Sequence, residues 1–541
     1  MPLNHWIPSL TIIKNQDALA CERFMILRSL LLPLIAVVCV SCSTVSRPIV
    51  TEKRGAMPPA NDGALATVSR DVRQRFGANQ SGFTLLKTNR EALDWRLALI
   101  DHAQQSIDLQ YYIWKADDSG GLLFGRLLDA AERGVRVRLL VDDFPFAGDD
   151  QRIAALCHHP NFEIKIFNPG KVRKGFVAPI LEFVLNYGEL NRRMHNKAFI
   201  VDNRMAIVGG RNIGNDYFGL DTNYNFIDLD VLTAGPVVAK ISDGFDQFWN
   251  SDAAFPGVAL SSSSGPQDTD AAIAAMRENI AGLTSGAAEA GFAIQRRDWS
   301  ESLRGLGDRW HPGTAGYFYD APEVSKGEER ERFLPNIPPL TDKAQPQEVL
   351  VVSPYLVPGE GFFEVIDDYS KKGARVAILA PSMATNDTPI VHSHYRKHRK
   401  DILQRGAELY EMRADGREEI YAIANAPGVV SKSVGLHMKT FVGDRKISFI
   451  GSLNLDPRSI KINTEGGLRI ESASLAEELA EYLDWLMDGE HSWQVLSEGE
   501  NGNGPLRWES RGDVQSIQPA PSIGARILDA VYGLLPVKSQ L

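Results

Sequence analysis

The sequence predicts an α/β protein made of two homologous domains. Three observations predict it. One motif occurs twice with the same internal spacing, a strand–helix–strand pattern precedes each copy, and 541 residues are too many for one ordinary core. The first copy is His195, Lys197 and Asp202, followed by Gly209, Gly210 and Asn212; the second is His437, Lys439 and Asp444, followed by Gly451, Ser452 and Asn454. In both copies the lysine lies two, the aspartate seven and the asparagine seventeen residues beyond the histidine.

The elements ahead of each motif follow from their periodicity. In the first half, Ser106 to Ile113 reads as a strand, Leu122 to Arg133 has helical spacing, and Gly134 to Val141 reads as a strand again. In the second half, the strand is Glu348 to Pro354, the helix Gly361 to Lys372 and the next strand Gly373 to Leu379. Strand, helix and strand in this order make βαβ units and a parallel-rich sheet. The division expected is an export segment at 1–45, a tether at 46–80, a first domain at 81–258, a helical insert and linker at 259–345, a second domain at 346–495 and a tail at 496–541. Ser261 to Gln267 is the linker, a helix is expected near Asp270 to Ala281, and residues 320–347 read as an exposed connection.

Leu30 to Val40 is an apolar run too short for a comfortable membrane span, but suited to the core of a signal peptide behind Arg28. It leads to Cys42, a site resembling a lipoprotein cleavage site, with an uncleaved signal anchor as the alternative; Met25 is a natural start. Either reading puts the body at a membrane of the bacterial cell envelope, on the periplasmic face. Four cysteines (Cys21, Cys39, Cys42 and Cys157) exclude a disulfide framework and a thiolate metal cluster. The net charge of −10 makes the chain a poor general binder of nucleic acid.

A strand through the motif would point each histidine and lysine to one face. The Gly209–Gly210 and Gly451–Ser452 pairs would let the backbone approach a ligand, and the Asn212 and Asn454 amides can donate to phosphate oxygens. One such motif arises often by chance; two with equal spacing after equal folds do not.

The doubled motif, over about residues 80 to 490, resembles the phospholipase D superfamily. The resemblance implies two phospholipase D-like α/β/α sandwich domains packed around one shared active-site cleft. It implies a phosphohistidine intermediate, with no metal and no cofactor. His195 is carried over as nucleophile and His437 as general acid/base, an order that spacing leaves open. Lys197, Lys439, Asn212 and Asn454 would hold phosphate oxygens, and Asp202 and Asp444, part of the catalytic motif, would stabilise its fold. The family also orients each histidine with a downstream carboxylate: Glu465 is expected for His437 and Asp228 for His195, with Asp230 as a competitor for the latter role.

The stretches Gly209 to Phe218, Asp228 to Pro236 and Gly451 to Ser459 look like those of bacterial cardiolipin synthases of the C type. That implies phosphatidyl transfer between phospholipids, with phosphatidylglycerol and phosphatidylethanolamine as cosubstrates, and leaves room for a small partner protein. The alternatives are a phospholipase D hydrolase, a nuclease and an inactive scaffold. Three further segments bear on a membrane surface. Lys171 to Arg193 mixes basic and apolar residues, as a lid or as an ordinary packed helix. Ser522 to Leu541 puts Ile523, Ile527, Leu528, Val531, Leu534 and Leu535 at helical spacing, as an interfacial anchor or as a helix docked on the body. His392, His394, Arg396, Lys397, His398, Arg399 and Lys400 form a basic cluster, read as a headgroup site, a zinc site or a solvated helix face.

Overall fold

The computed structural model describes residues 53–541 except 144–152, 154–155, 171, 173–181, 183–185, 261–268, 324–331, 343, 417 and 499–503. The first half carries β1 (Ser81–Leu86), β2 (Ser106–Tyr111), β3 (Arg136–Asp142), β4 (Phe162–Phe167), β5 (Ala198–Val201), β6 (Met205–Gly209), β7 (Tyr224–Ile227), β8 (Asp230–Ala234) and β9 (Ala254–Pro256). Then comes β10 (His311–Tyr319). The second half carries β11 (Glu348–Val352), β12 (Arg375–Pro381), β13 (Glu408–Met412), β14 (Ser433–Leu436), β15 (Thr440–Gly443), β16 (Ile447–Gly451), β17 (Gly466–Glu471), β18 (Ser492–Ser497), β19 (Leu506–Ser510) and β20 (Asp513–Gln515).

Among the described residues, eighteen of these strands pair into one continuous sheet. Its spatial order is β9-β4-β3-β2-β5-β6-β8-β1-β10-β17-β16-β15-β11-β12-β13-β18-β19-β20. The repeat is visible in the pairing. β2, β3 and β4 run parallel, as do β11, β12 and β13. The motif hairpins β5–β6 and β15–β16 attach antiparallel to β2 and β11.

Each half is an α/β/α sandwich because its sheet is apolar on both faces. Along β5, Phe199 and Val201 enter the outer core of the first half, under the helices Asn89–His102 and Asp118–Glu132. Ala198 and Ile200 point the other way, into a core that also holds Leu350, Ile450 and Leu468 of the second half. That inner core is lined by the helices Val237–Trp249 and Ala473–Met487, which follow β8 and β17. The two halves therefore share one interior. An outer core of the second half, with Ile366, Ile378 and Leu409, completes its sandwich.

The insert holds more than helices. β10 pairs with β1 through Ser81–Gly313 and with β17 from Thr314–Glu471 to Tyr319–Gly466, welding the halves edge to edge. Its sequence, with Pro312, Gly313 and Gly316, breaks the strand signal, and its partners are far away in sequence. Within the connection, Asp320, Phe333 and Thr341 are buried. No helix among the described residues is long and apolar enough to cross a membrane.

Candidate active site

The third letter of each motif has a backbone role. Asp202 and Asn203 have φ of 55° and 49°, and Asp444 and Arg445 have φ of 50° and 51°. Two successive left-handed residues make the tight turn of each hairpin, and aspartate tolerates that region better than most side chains. The Asp202 carboxylate accepts the backbone N–H groups of Gln104, Gln105 and Ser106. Asp444 accepts those of Asp342, Gln347 and Glu348. Each aspartate thus ties its hairpin to the start of a parallel strand. Neither faces a histidine, and both are structural members of the catalytic motif.

The histidines and lysines lie just ahead of β5 and β15, in extended segments rather than within the strands. Those segments bind the opposite half. Met194 bridges Thr464 in parallel, and β14 pairs in parallel with β7, ending at Leu436 beside Ile227. The next residues therefore emerge side by side: His195 next to Glu465, and His437 next to Asp228. His195 N–H donates to Thr464 O and His437 N–H to Ile227 O, both at 2.9 Å. The side chains follow. His195 Nδ1 is 2.8 Å from Glu465 Oε2, and His437 Nδ1 is 2.6 Å from Asp228 Oδ2. This corrects the expected pairing: each carboxylate serves the histidine of the other half. Spacing within one half carries no trace of strand pairing between halves. Asp230, the competitor, is instead buried in an ion pair with Arg96 and Arg211.

The two motifs share one electrostatic environment. Burial, then Lys197 and Lys439, pull His195 well below the usual imidazole range. Burial, then Lys439, Lys197 and His195, do the same to His437. Both shifts favour the neutral imidazole, the form in which His195 would attack; His437 would have to take up a proton on Nε2 before it could act as an acid. With Nδ1 fixed by a carboxylate, Nε2 is the atom left for chemistry. Burial pushes Glu465 up to about 7, and Ser452 Oγ donates to it at 2.5 Å. Lys197 and Lys439 each donate to the carbonyl of their own histidine at 2.5 Å. Their ammonium groups sit over the Tyr112 and Tyr355 rings at 5.6 and 5.9 Å. Tyr112 packs edge-on to His195 and Tyr217 edge-on to His437, both at 5.2 Å, which limits ring rotation.

Burial lowers Lys197 to about 7 and Lys439 to about 8. An anionic phosphodiester is held by the protonated form, so binding weakens as pH rises through those values. The expected result is a fall in kcat/KM, which reports the free enzyme, beginning between about pH 7 and 8. A rate constant that holds to about pH 10, where ordinary lysines titrate, contradicts this.

The remaining expected residues divide. Asn212 Nδ2 donates to Tyr217 Oη at 3.0 Å, and Asn454 Nδ2 to Ser459 Oγ at 3.3 Å, an equivalent pair five residues on. The glycine pairs make room for protein, not ligand. A Cβ on Gly209 would lie 2.1 Å from Asp230 Oδ1, one on Gly210 2.3 Å from Asp228 Oδ1, and one on Gly451 2.4 Å from Gly466 O. The basic cluster is a docking surface for the tail. His392 is paired with Asp529, Arg399 donates to Gln518 Oε1, and Lys397 donates to Gly533 O. Among the described residues no group of three His, Cys, Asp or Glu is placed to hold a metal ion. Cys42 and most of Lys171 to Arg193 lie outside the described residues. Sequence reasoning missed Tyr112, Tyr217 and Tyr355, which read as strand and loop filler. It also missed Asp142, which holds the Met194 N–H at 2.9 Å, and Asp320, which holds the Glu465 N–H at 3.0 Å.

Two equivalent halves, sharing one core and bringing two carboxylate-oriented histidines and two lysines together, define an enzyme of the phospholipase D superfamily. The family model described as "Cardiolipin synthase, PLD-like domain" matches residues 97–249 and 340–487, and the chain belongs to that family. It is 34% identical over 470 residues to "Cardiolipin synthase C" of Escherichia coli strain K12, covering 85% of this chain and 96% of that one. An uncharacterized protein of Helicobacter pylori strain 26695 is 33% identical over 77% of this chain and 81% of its own length. The crystal structure of phosphatidylserine synthase from Haemophilus influenzae Rd KW20 aligns with a TM-score of 0.49 at 14% identity, covering 79% of this chain and 91% of that one.

Proposed function

We propose that the chain is a phosphatidyltransferase that joins two phospholipids through a phosphohistidine, in the manner of a cardiolipin synthase. The observation that carries this reading is the pair of buried, carboxylate-oriented histidines in one field with two buried lysines. In the first step His195 Nε2 attacks phosphorus. A P–N bond forms, the P–O bond to the departing headgroup alcohol breaks, and His437, protonated on Nε2 for this step, gives that oxygen its proton. Glu465 stabilises the positive charge gained by the His195 ring. In the second step His437 takes the proton of an acceptor hydroxyl. The hydroxyl oxygen attacks phosphorus, and the P–N bond breaks. Lys197, Lys439, Asn212 and Asn454 would hold the phosphate oxygens throughout, supplying the electrostatic stabilisation such transfers need.

The family supports phospholipids as substrates, and phosphatidylglycerol and phosphatidylethanolamine fit as the two cosubstrates, with a glycerol hydroxyl of phosphatidylglycerol as the acceptor. Leu30 to Val40 and Cys42 support export and anchoring at a membrane of the cell envelope.

The test is lipid mass spectrometry of a bacterial host lacking its own cardiolipin synthases. Cardiolipin is expected with the wild-type chain and not with His195→Ala. A rise in phosphatidic acid without cardiolipin would instead make the chain a hydrolase, whose intermediate is resolved by water.

A further inference from the structure

We infer that the helix Ile523–Tyr532 and the turn after it form a docking surface for an anionic lipid bilayer. A helix lying on a protein body normally turns its apolar side chains inward. This one is reversed. Asp529, only 4% exposed, faces the body, with Oδ1 2.8 Å from His392 Nδ1 and Oδ2 2.6 Å from Arg396 Nε. Ile523, Ile527 and Val531 are 74, 62 and 52% exposed and share one helix face by their spacing, and Leu534, in the turn after the helix, is 84% exposed. Leu528 and Leu535, 44 and 40% exposed, widen that face. Lone apolar residues on a surface are ordinary; a contiguous set of this size marks a contact with something else.

The helix cannot roll over to bury this face without parting Asp529 from His392 and Arg396. Lys397 Nζ, donating to Gly533 O at 2.6 Å, fixes its far end as well. The face is therefore held outward by specific polar bonds.

Charge selects the occupant. The chain as a whole carries −10, yet within Ser522 to Leu541 the charged residues are Arg526, Lys538 and Asp529, and Asp529 is matched by Arg396. An apolar face flanked by cations suits anionic headgroups over acyl chains, and suits a second copy of this acidic chain poorly. The end of the tail also reaches toward the second motif. Gln540 Oε1 accepts from Tyr187 Oη at 2.6 Å and from Asn191 Nδ2 at 3.0 Å, and Leu541 O accepts from Arg458 N–H at 2.6 Å. Arg458 adjoins Ser459, the partner of Asn454. A bilayer on this face would lie beside the catalytic cleft. That consequence rests on the reading of the substrate as membrane lipid; the surface itself does not.

The test is hydrogen exchange in the full chain with vesicles of phosphatidylglycerol and phosphatidylcholine in equal parts. Backbone amides of Ile523 to Leu535 are expected to slow by at least about tenfold, and not to slow with phosphatidylcholine alone. In the Ile527→Glu/Leu534→Glu chain the slowing should vanish, while turnover of soluble bis(p-nitrophenyl) phosphate stays unchanged. Equal exchange with and without vesicles overturns the surface. So does slowing that the double variant keeps, or slowing produced by raising protein concentration without lipid, which would make the occupant a second copy. Protection without cardiolipin formation in cells would keep the surface and refute the proposed reaction. The reverse pattern would do the opposite.

Discussion

His195→Ala and His437→Ala should each lower turnover of phospholipid by at least about 10⁴-fold, and the double variant should be little worse than either. In the proposed mechanism the two rings act on one phosphorus in turn. Without His195 no P–N bond forms. Without His437 the leaving oxygen has no proton donor and the acceptor hydroxyl has no base. Steps that depend on both groups are lost when one is removed, so the effects do not add. Both side chains are buried against polar partners, Glu465 and Asp228, rather than among apolar side chains alone. Thermal unfolding should therefore remain within a few degrees of wild type. A single variant that keeps a tenth of the wild-type rate would break the two-histidine mechanism.

The carboxylates come next in size. Asp228→Asn and Glu465→Gln keep the shape of each pair but remove the charge that stabilises an imidazolium, a change worth about 10²- to 10⁴-fold in comparable arrangements. The crossed pairing makes the two losses different in kind. Glu465→Gln acts on His195 and should slow formation of the covalent intermediate. Asp228→Asn acts on His437 and should slow its breakdown when the leaving group needs no proton. Pairing within each half would reverse these assignments. Steady-state rates alone would show two slow enzymes. A burst of leaving group from an activated phosphodiester separates them, because only the Asp228→Asn chain should give one full turnover before stalling.

Local sequence carried much of this site. The doubled motif is legible because a hairpin turn needs Asp202 or Asp444 at one place, and the histidine and lysine must precede it in extended chain. The βαβ units were legible from periodicity: β11 and β12 are nearly continuous apolar runs, and β2 alternates, with Ile107, Leu109 and Tyr111 entering the outer core. Relations between the halves left no such trace. Which histidine meets Glu465 depends on Met194 lying beside Thr464, and which meets Asp228 depends on Leu436 lying beside Ile227. β10 was hidden for the same reason. Its glycines weaken the local signal, and the strands that hold it are β1 and β17. The tail shows a third case. Its apolar stripe was readable, but the side turned to the body was decided by Asp529 meeting His392, 137 residues away.

The central claim is that the halves exchange carboxylates around one reacting phosphorus. Its most direct test is mass spectrometry of the chain after brief mixing with an activated phosphodiester. The adduct should be found on His195 in the Asp228→Asn chain and be nearly absent in the Glu465→Gln chain. An adduct on His437, or one that accumulates in Glu465→Gln and not in Asp228→Asn, would contradict the account.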